Sequence, residues 1–318
     1  MKSRKSIFLS VLLLAAAGGG AAAQGLTCTY KVADRDTCSL YMDVYDPSPE
    51  SAAAADGAAR PTVLFVFGGG FVTGERSHPH HLPWFRLLCD EGYRVITVDY
   101  RLGLKGKHLD FRVSKLKESA QTAKEAVDIA VEDVFASVAF ILENADELGV
   151  DPGRIVIAGS SAGAMTALQA EWYICSGHPL AGVLPPGFNF AGVMSFAGAI
   201  MSNTGKPVYK KAPCPTLLIH GTADKIVTYD KTALGKWGMY GSSALAEFFR
   251  DRQYEYCIYR FKDHSHDMAS NFMATWPEEK RFLEENVARG SRRIVDALVD
   301  DPAIPVAGDF GSLEDMYK

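Results

Sequence analysis

Arg154-Ile155-Val156-Ile157-Ala158-Gly159-Ser160-Ser161-Ala162-Gly163-Ala164 is the stretch that decides the fold. Residues 154–158 carry the apolar, β-branched run of a short buried strand, and the small and apolar residues from Ala164 to Ile174 read as a buried helix. Between them Gly159-Ser160-Ser161-Ala162-Gly163 has the form G-x-S-x-G, the sharp strand-to-helix turn that holds a serine hydroxyl clear of a sheet. Small residues at both ends suit so tight a turn, because a Cβ there collides across it. The pentapeptide alone recurs by chance in about one chain in ten of this length, so its weight must come from context. A near copy makes the point: Gly241-Ser242-Ser243-Ala244 repeats the first four letters, but Leu245 follows and no apolar strand leads in. That copy reads as a loop or helix start, with Ser242 or Ser243 capping a helix from Ala244 to Arg250.

Outward from the turn, apolar strands alternate with amphipathic helices. Upstream, a helix with Val127, Val131, Val134, Val138, Ile141, Ala145 and Leu148 on one stripe is stopped by Asp151-Pro152-Gly153. Before it come a strand over 93–101, a helix from Trp84 to Glu91, and the continuous apolar run Thr62-Val63-Leu64-Phe65-Val66-Phe67. Residues 26–46 alternate in two runs around a turn at Asp34-Arg35-Asp36, and 48–59 is a small-residue loop. Downstream, strands are expected over 190–197, 215–220 and, last, 256–261. Thr275-Trp276-Pro277-Glu278 has capping-box spacing for a final helix to about Ala288. Residues 291–318 read as a partly helical extension beyond a core of about 38–290. With no internal repeat or low-complexity linker, the pattern predicts one α/β domain over 24–318: a mostly parallel sheet with helices on both faces.

Composition narrows the function. The chain has 318 residues, 47% hydrophobic and 22% charged, enough for a sizeable core. A net charge of −5 with no basic block argues against nucleic acid and anionic membrane surfaces as partners, and suits neutral or weakly charged substrates. Met1-Lys2-Ser3-Arg4-Lys5, the apolar Ile7 to Ala17 and the small Ala21-Ala22-Ala23 read as a signal peptide over 1–23. A mature chain starting at Gln24 is expected outside the cytoplasm, periplasmic or secreted, without stable membrane association once the signal is removed. Of six cysteines, Cys28 and Cys38 flank the hairpin turn as the one candidate disulfide, while Cys89, Cys175 and Cys257 read as buried thiols. No C-x-x-C spacing points to a metal, and His78-Pro79-His80-His81 are too close neighbours to converge on one ion, so neither metal nor cofactor is expected.

Serine hydrolysis needs a nucleophile, a histidine base, a carboxylate to orient it, and N–H donors for the oxyanion, all at the carboxyl ends of strands. Ser161 is the nucleophile candidate. Phe67-Gly68-Gly69-Gly70-Phe71 follows a buried strand, so the backbone N–H groups of Gly69 and Gly70, with that of Ala162, are the oxyanion candidates; without G-K-[ST] it is not a phosphate loop. Asp224, in His220-Gly221-Thr222-Ala223-Asp224 just past a strand, is the acid, and His220 reads as structural. His264 and His266 both follow the last strand; His266 is preferred as base, and His264 is left as a loop residue or a substrate-side contact.

These motifs together resemble the α/β-hydrolase esterases related to hormone-sensitive lipase, and are similar to secreted bacterial carbohydrate esterases that remove acetyl or feruloyl groups from xylan. The resemblance rests on Phe67–Phe71, Asp99-Tyr100-Arg101-Leu102, Gly159–Gly163, His220–Asp224 and His266, in that order, and covers about residues 38–290. It implies the α/β-hydrolase fold and an acyl-enzyme mechanism on a small-molecule or polysaccharide-linked ester. In two places the chain departs from the family pattern: Phe67 stands where a histidine usually precedes the glycines, and Ser265 where a glycine usually precedes the final histidine. The short segment between Ile200 and Pro213 implies a minimal cap and an open site lined by Phe71, the 103–118 loop and residues 228–243. An exopeptidase using the same triad, and a cholinesterase-like binding protein, are the rival readings.

Overall fold

The structure is a computed structural model that describes residues 26–35, 38–48, 51, 60–110 and 112–306. The expected signal peptide, most of the 48–59 loop and the last twelve residues lie outside the described residues.

The strands are β1 (Leu26–Arg35), β2 (Cys38–Tyr45), β3 (Thr62–Val66), β4 (Arg94–Val98), β5 (Ile155–Ser160), β6 (Gly192–Phe196), β7 (Ala199–Ser202), β8 (Thr216–Gly221), β9 (Lys231–Leu234), β10 (Trp237–Gly241), β11 (Tyr256–Phe261) and β12 (Val295–Val299). Nine form one sheet in the order β1-β2-β4-β3-β5-β6-β8-β11-β12. Only the β1–β2 and β2–β4 pairings are antiparallel; from β4 onward all neighbours run parallel. Every residue of β3, β5, β6 and β8 is buried, which is why these strands read as unbroken apolar runs rather than alternating ones.

Helices cover both faces. The long helix α2 (Leu116–Glu143), which follows α1 (Leu82–Asp90), buries the stripe Val127, Val131, Val134, Val138 and Ile141 and packs on α3 (Ala162–Ser176). On the other side α1 meets α5 (Trp276–Arg281), which runs on into a π-helical turn over Phe282–Ala288 and follows α4 (Ser242–Asp251) in sequence. Phe65 of β3 packs edge-on against Trp84, Phe85 and Phe272, and Trp84 and Phe272 stack at 4.8 Å. This aromatic cluster ties α1 to the loop that carries His266.

Several local expectations are corrected. The C-terminal extension is not helical over 295–299: β12 pairs parallel with β11, so β11 is not the last strand. Its alternation of half-buried Val295, Ala297 and Val299 with exposed Asp296 and Leu298 is a half-buried strand's, obscured in the sequence by the aspartates and prolines that follow. β7, β10 and β9 form a separate three-stranded antiparallel sheet that pattern reading missed. Cys28 and Cys38 do not bridge, because the hairpin register sets Cys28 opposite Val44 and Cys38 opposite Arg35. That offset is about 20 Å of strand, against a Cα separation of about 4–7 Å in a disulfide. Cys89, Cys175 and Cys257 are buried thiols. Neither Ser242 nor Ser243 caps α4, which starts at Ser242 itself with Gly241 as cap. Thr275 does not act as a capping-box acceptor either; its hydroxyl lies 2.6 Å from Glu279 Oε1.

Candidate active site

The turn after β5 brings Ser161 to φ 51°, ψ −117°, a region that side-chain-bearing residues rarely occupy. It is held there from both sides: Ser161 N–H donates to Phe196 O, and Ser161 O accepts from Met165 N, each at 2.9 Å. Glycine at both ends of the pentapeptide follows from contact. A Cβ on Gly159 would lie 2.2 Å from Gly163 O, and one on Gly163 would lie 2.0 Å from Val66 O.

Ser161 Oγ is 2.7 Å from His266 Nε2, and His266 Nδ1 is 2.7 Å from Asp224 Oδ2. A neutral imidazole satisfies both contacts when Nδ1–H donates to the carboxylate and Nε2 accepts the serine proton. All three residues are buried to within a few per cent of full exclusion. His266 opens a single 3₁₀ turn, His266–Ala269, whose Met268 is fully buried, and Phe272 just beyond it is locked in the aromatic cluster.

Asp224 is held by four donors. Ile226 and Val227 N–H reach Oδ1 at 2.8 and 3.1 Å, and His266 and His220 reach Oδ2 at 2.7 and 3.1 Å. Burial pushes this carboxyl up, but the hydrogen bonds from His220 and His266 outweigh it, so the group sits below the ordinary carboxylate range and stays ionised. His220 is thus structural in a pointed way, spaced four residues from the acid so that the turn after β8 folds one onto the other. The i,i+4 spacing in His220-Gly221-Thr222-Ala223-Asp224 is the signal in the sequence.

The structure does not bring His264 to the cleft. Its Nδ1 is 2.7 Å from Asp267 Oδ2, and it is buried beside Phe261. Among the oxyanion candidates, Gly70 and Ala162 line the same cleft as Ser161, while Gly69 does not. Gly69 instead turns the loop at φ 117°, its carbonyl accepting from Val72 and Thr73 N–H. A brace for this loop survives at Phe67: Tyr100 O–H donates to Phe67 O at 2.9 Å, and the two rings stack at 4.3 Å. His81 is buried, with its imidazole pushed down to about 4 by burial and by His80 and His78; those two are exposed. Among the described residues no group of three or more His, Cys, Asp or Glu is placed to hold a metal ion, and no helix is long and apolar enough to cross a membrane.

The cleft beside Ser161 is a cavity of about 40 Å³, room for about three waters. Phe71, Leu104, Met165, Met201, Val227 and Met239 wall it with apolar groups. Phe71, the 103–118 loop and the 228–243 region therefore do contribute, as the sequence suggests. Met165, Met201 and Val227 were not foreseen, because a methionine in a buried strand or helix looks like any core residue.

A buried serine–histidine–carboxylate chain at the carboxyl ends of parallel strands defines the α/β-hydrolase class. Within that class the chain belongs to the Phospholipase/Carboxylesterase family, whose pattern it matches over residues 110–278, more than half its length. Residues 42–172 also match the BD-FAE family. Similar proteins include a fumonisin B1 esterase from Sphingopyxis macrogoltabida, 27% identical over 39% of this chain and 21% of that protein. The carboxylic ester hydrolase LipN of Mycobacterium tuberculosis is 30% identical over 39% of this chain and 30% of its own length. The chain thus spans less than a third of the length of these curated relatives. Thermogutta terrifontis esterase 2 with propionate bound superposes with a TM-score of 0.57 at 19% identity, covering 82% of this chain and 94% of that one.

Proposed function

We propose that the protein is a serine carboxylic-ester hydrolase that works through an acyl-enzyme on Ser161 and takes short acyl esters or carbohydrate-linked acetyl or feruloyl esters. The observation that carries this reading is the chain Ser161 Oγ to His266 Nε2 to Asp224, two links of 2.7 Å each. His266 Nε2 takes the Ser161 proton as Oγ attacks the ester carbonyl carbon, and the carbonyl π pair moves onto oxygen. The Ala162 and Gly70 N–H groups, on residues that line the cleft, are the donors assigned to that oxygen, with Gly69 shaping the loop. Collapse re-forms the carbonyl and expels the alkoxide, which takes the proton back from His266. A water then repeats the sequence on the acyl-enzyme. Asp224, ionised throughout, holds Nδ1–H and offsets the imidazolium charge.

The size and apolar lining of the cavity support a short acyl group. So do relatives: Thermogutta terrifontis esterase 2 has been solved with propionate and with butyrate bound. The BD-FAE match, a family of bifunctional acetyl xylan/feruloyl esterases, supports a carbohydrate-linked alcohol. Export belongs to the same proposal, supported by the basic, apolar and small-residue segments of 1–23; protein recovered outside the cytoplasm should begin at Gln24. A fluorophosphonate should label Ser161, and Ser161→Ala should lose both the label and hydrolysis of p-nitrophenyl acetate. Undiminished hydrolysis by Ser161→Ala would remove the serine from the chemistry. Acetylated xylan, feruloylated oligosaccharides and p-nitrophenyl esters of rising length then rank the substrates.

A further inference from the structure

Ser242, the serine of the near-copy motif, is fully buried, and its Oγ lies 2.8 Å from Nδ1 of His220. His220 is fully buried too, and its Nε2 is 3.1 Å from both Asp224 Oδ2 and Val227 O. A backbone carbonyl only accepts, so Nε2 carries the proton and Nδ1 accepts from the Ser242 hydroxyl. Asp224 Oδ2 therefore receives two imidazole N–H groups, one from His266 at 2.7 Å and one from His220. The result is a chain that runs Ser161–His266–Asp224–His220–Ser242, with a serine–histidine pair on each side of one carboxylate.

We infer that His220, fixed in one tautomer by Ser242, is a positioning residue that clamps the acid from the side opposite His266. Its kinetic consequence rests on the ester-hydrolase reading. The Ile226 and Val227 N–H groups hold Oδ1, so without His220 the oxygen that serves His266 would have no other anchor. A neutral second imidazole adds a donor to that oxygen without adding a competing positive charge. The groups that face His220 fit this. From its own turn come Asp224 and the edge-on ring of Tyr229 at 5.6 Å, and from α4 comes Ser242. On β11 its register partner Arg260 directs its guanidinium to Tyr229, to Ser243 and to the Asp296 carboxylate of β12, which pairs with its charge at 2.6 and 3.0 Å, and His266 stands across Asp224.

The clamp is tested with His220→Leu, His220→Gln and Ser242→Ala. Two readouts serve: the NMR titration of His266, followed through its downfield Nδ1–H proton, and the pH profile of kcat/KM for p-nitrophenyl acetate. Removing one donor leaves the carboxylate less satisfied and its pull on the His266 imidazolium stronger. In His220→Leu the His266 midpoint should therefore rise by roughly one pH unit, and the acid limb of kcat/KM should move with it. kcat/KM on the plateau should fall about tenfold or more as the acid loses its orientation. His220→Gln, which keeps an N–H at the same reach, should recover most of both effects. Ser242→Ala, which leaves Asp224 untouched, should shift the midpoint in the same direction by less, and it carries the test should His220→Leu not fold. An unmoved midpoint in a folded His220→Leu or Ser242→Ala protein overturns the inference, as does a glutamine variant no better than leucine. If wild-type protein neither hydrolyses the ester nor takes the fluorophosphonate label, the ester-hydrolase reading fails, and the titration still decides the clamp.

Discussion

Ser161 occupies a backbone conformation that costs of order 1–3 kcal/mol for a residue with a side chain, and the surrounding turn imposes it through two backbone hydrogen bonds and two glycines that leave no space for a Cβ. The strain aims Oγ at His266 Nε2, where the first proton must go. One residue further along the relay, Asp224 has its four donors and no room to protonate, so its charge is its contribution. Asp224→Asn removes that charge and leaves an amide facing two imidazole N–H groups, which forces His266 toward the tautomer with hydrogen on Nε2. Ser161 then has no acceptor. The expected outcome is an intact fold by circular dichroism with kcat lowered by about 10⁴, checked by single-turnover kinetics with p-nitrophenyl acetate. Ser161, Asp224 and His266 could all be named in the sequence, because each sits in a short motif at a strand end and the three occur in the expected order. His264 and His266 are neighbours but one, and nothing local separates them: His266 opens the 3₁₀ turn and bridges Ser161 and Asp224, whereas His264, just before that turn, pairs with Asp267.

At the scale of elements, the small antiparallel sheet gives the cleft its far wall. Met201 of β7 and Met239 of β10 are register partners, and both face the cavity beside Ser161. Met201 is held in place by α3 itself: Gln169, fully buried two turns past Ser161, donates to Met201 O at 3.0 Å and accepts from Met201 N–H at 3.1 Å. The helix that begins at the reactive serine thus also fixes the depth of the pocket in front of it. Met201→Ala and Met239→Ala should each open space for about three further carbons, at a stability cost of roughly 2–4 kcal/mol for buried Met201 and less for half-buried Met239. Plotted against acyl length for a p-nitrophenyl ester series, the kcat/KM optimum should move from acetate or propionate toward hexanoate, with acetate hydrolysis reduced only modestly. An optimum that stays at acetate in both variants would show that another wall sets the limit. None of this sheet was legible beforehand. β9 is four exposed residues with no apolar alternation, and β7 follows β6 after only two residues, so the two strands look like one apolar segment. By contrast, β3, β5, β8 and β11 emerged within a residue or two, since strands buried on both faces leave a continuous apolar run that needs no partner to be recognised.

For the molecule as a whole, the alternation of strand and helix foretold a mostly parallel sheet, but not the order in which its strands lie or where the chain's distant parts meet, because such pairings leave no local trace. One such meeting links α1 to α5 across 195 residues: Trp84 Nε1–H donates to Glu279 Oε2 at 2.7 Å, while Thr275 Oγ1 lies 2.6 Å from Oε1. Glu279 is fully buried without a cationic partner, and burial pushes its carboxyl from 4.5 up to about 8, against the smaller opposing effect of Thr275 and Trp84. The neutral acid suits the site: its O–H reaches Thr275 Oγ1, whose own hydrogen points to Asn271 O. The folded state therefore holds a proton that the unfolded chain gives up above about pH 4.5. This group's contribution is complete below that value, declines as pH rises, and is gone once pH passes about 8. Its slope between those limits approaches ~1.4 kcal/mol per pH unit. Glu279→Gln keeps the shape and the hydrogen bonds but cannot ionise. Urea unfolding from pH 5 to 9 should find the two proteins closest in stability at pH 5 and the glutamine variant progressively the more stable toward pH 9, the gap levelling off above 8. Because Glu279 anchors the same aromatic cluster that seats the His266 loop, the wild-type enzyme should also lose activity to heat faster at pH 9 than the variant does. Stability curves that run parallel across the range would mean that the carboxyl is ionised throughout and that the burial argument fails.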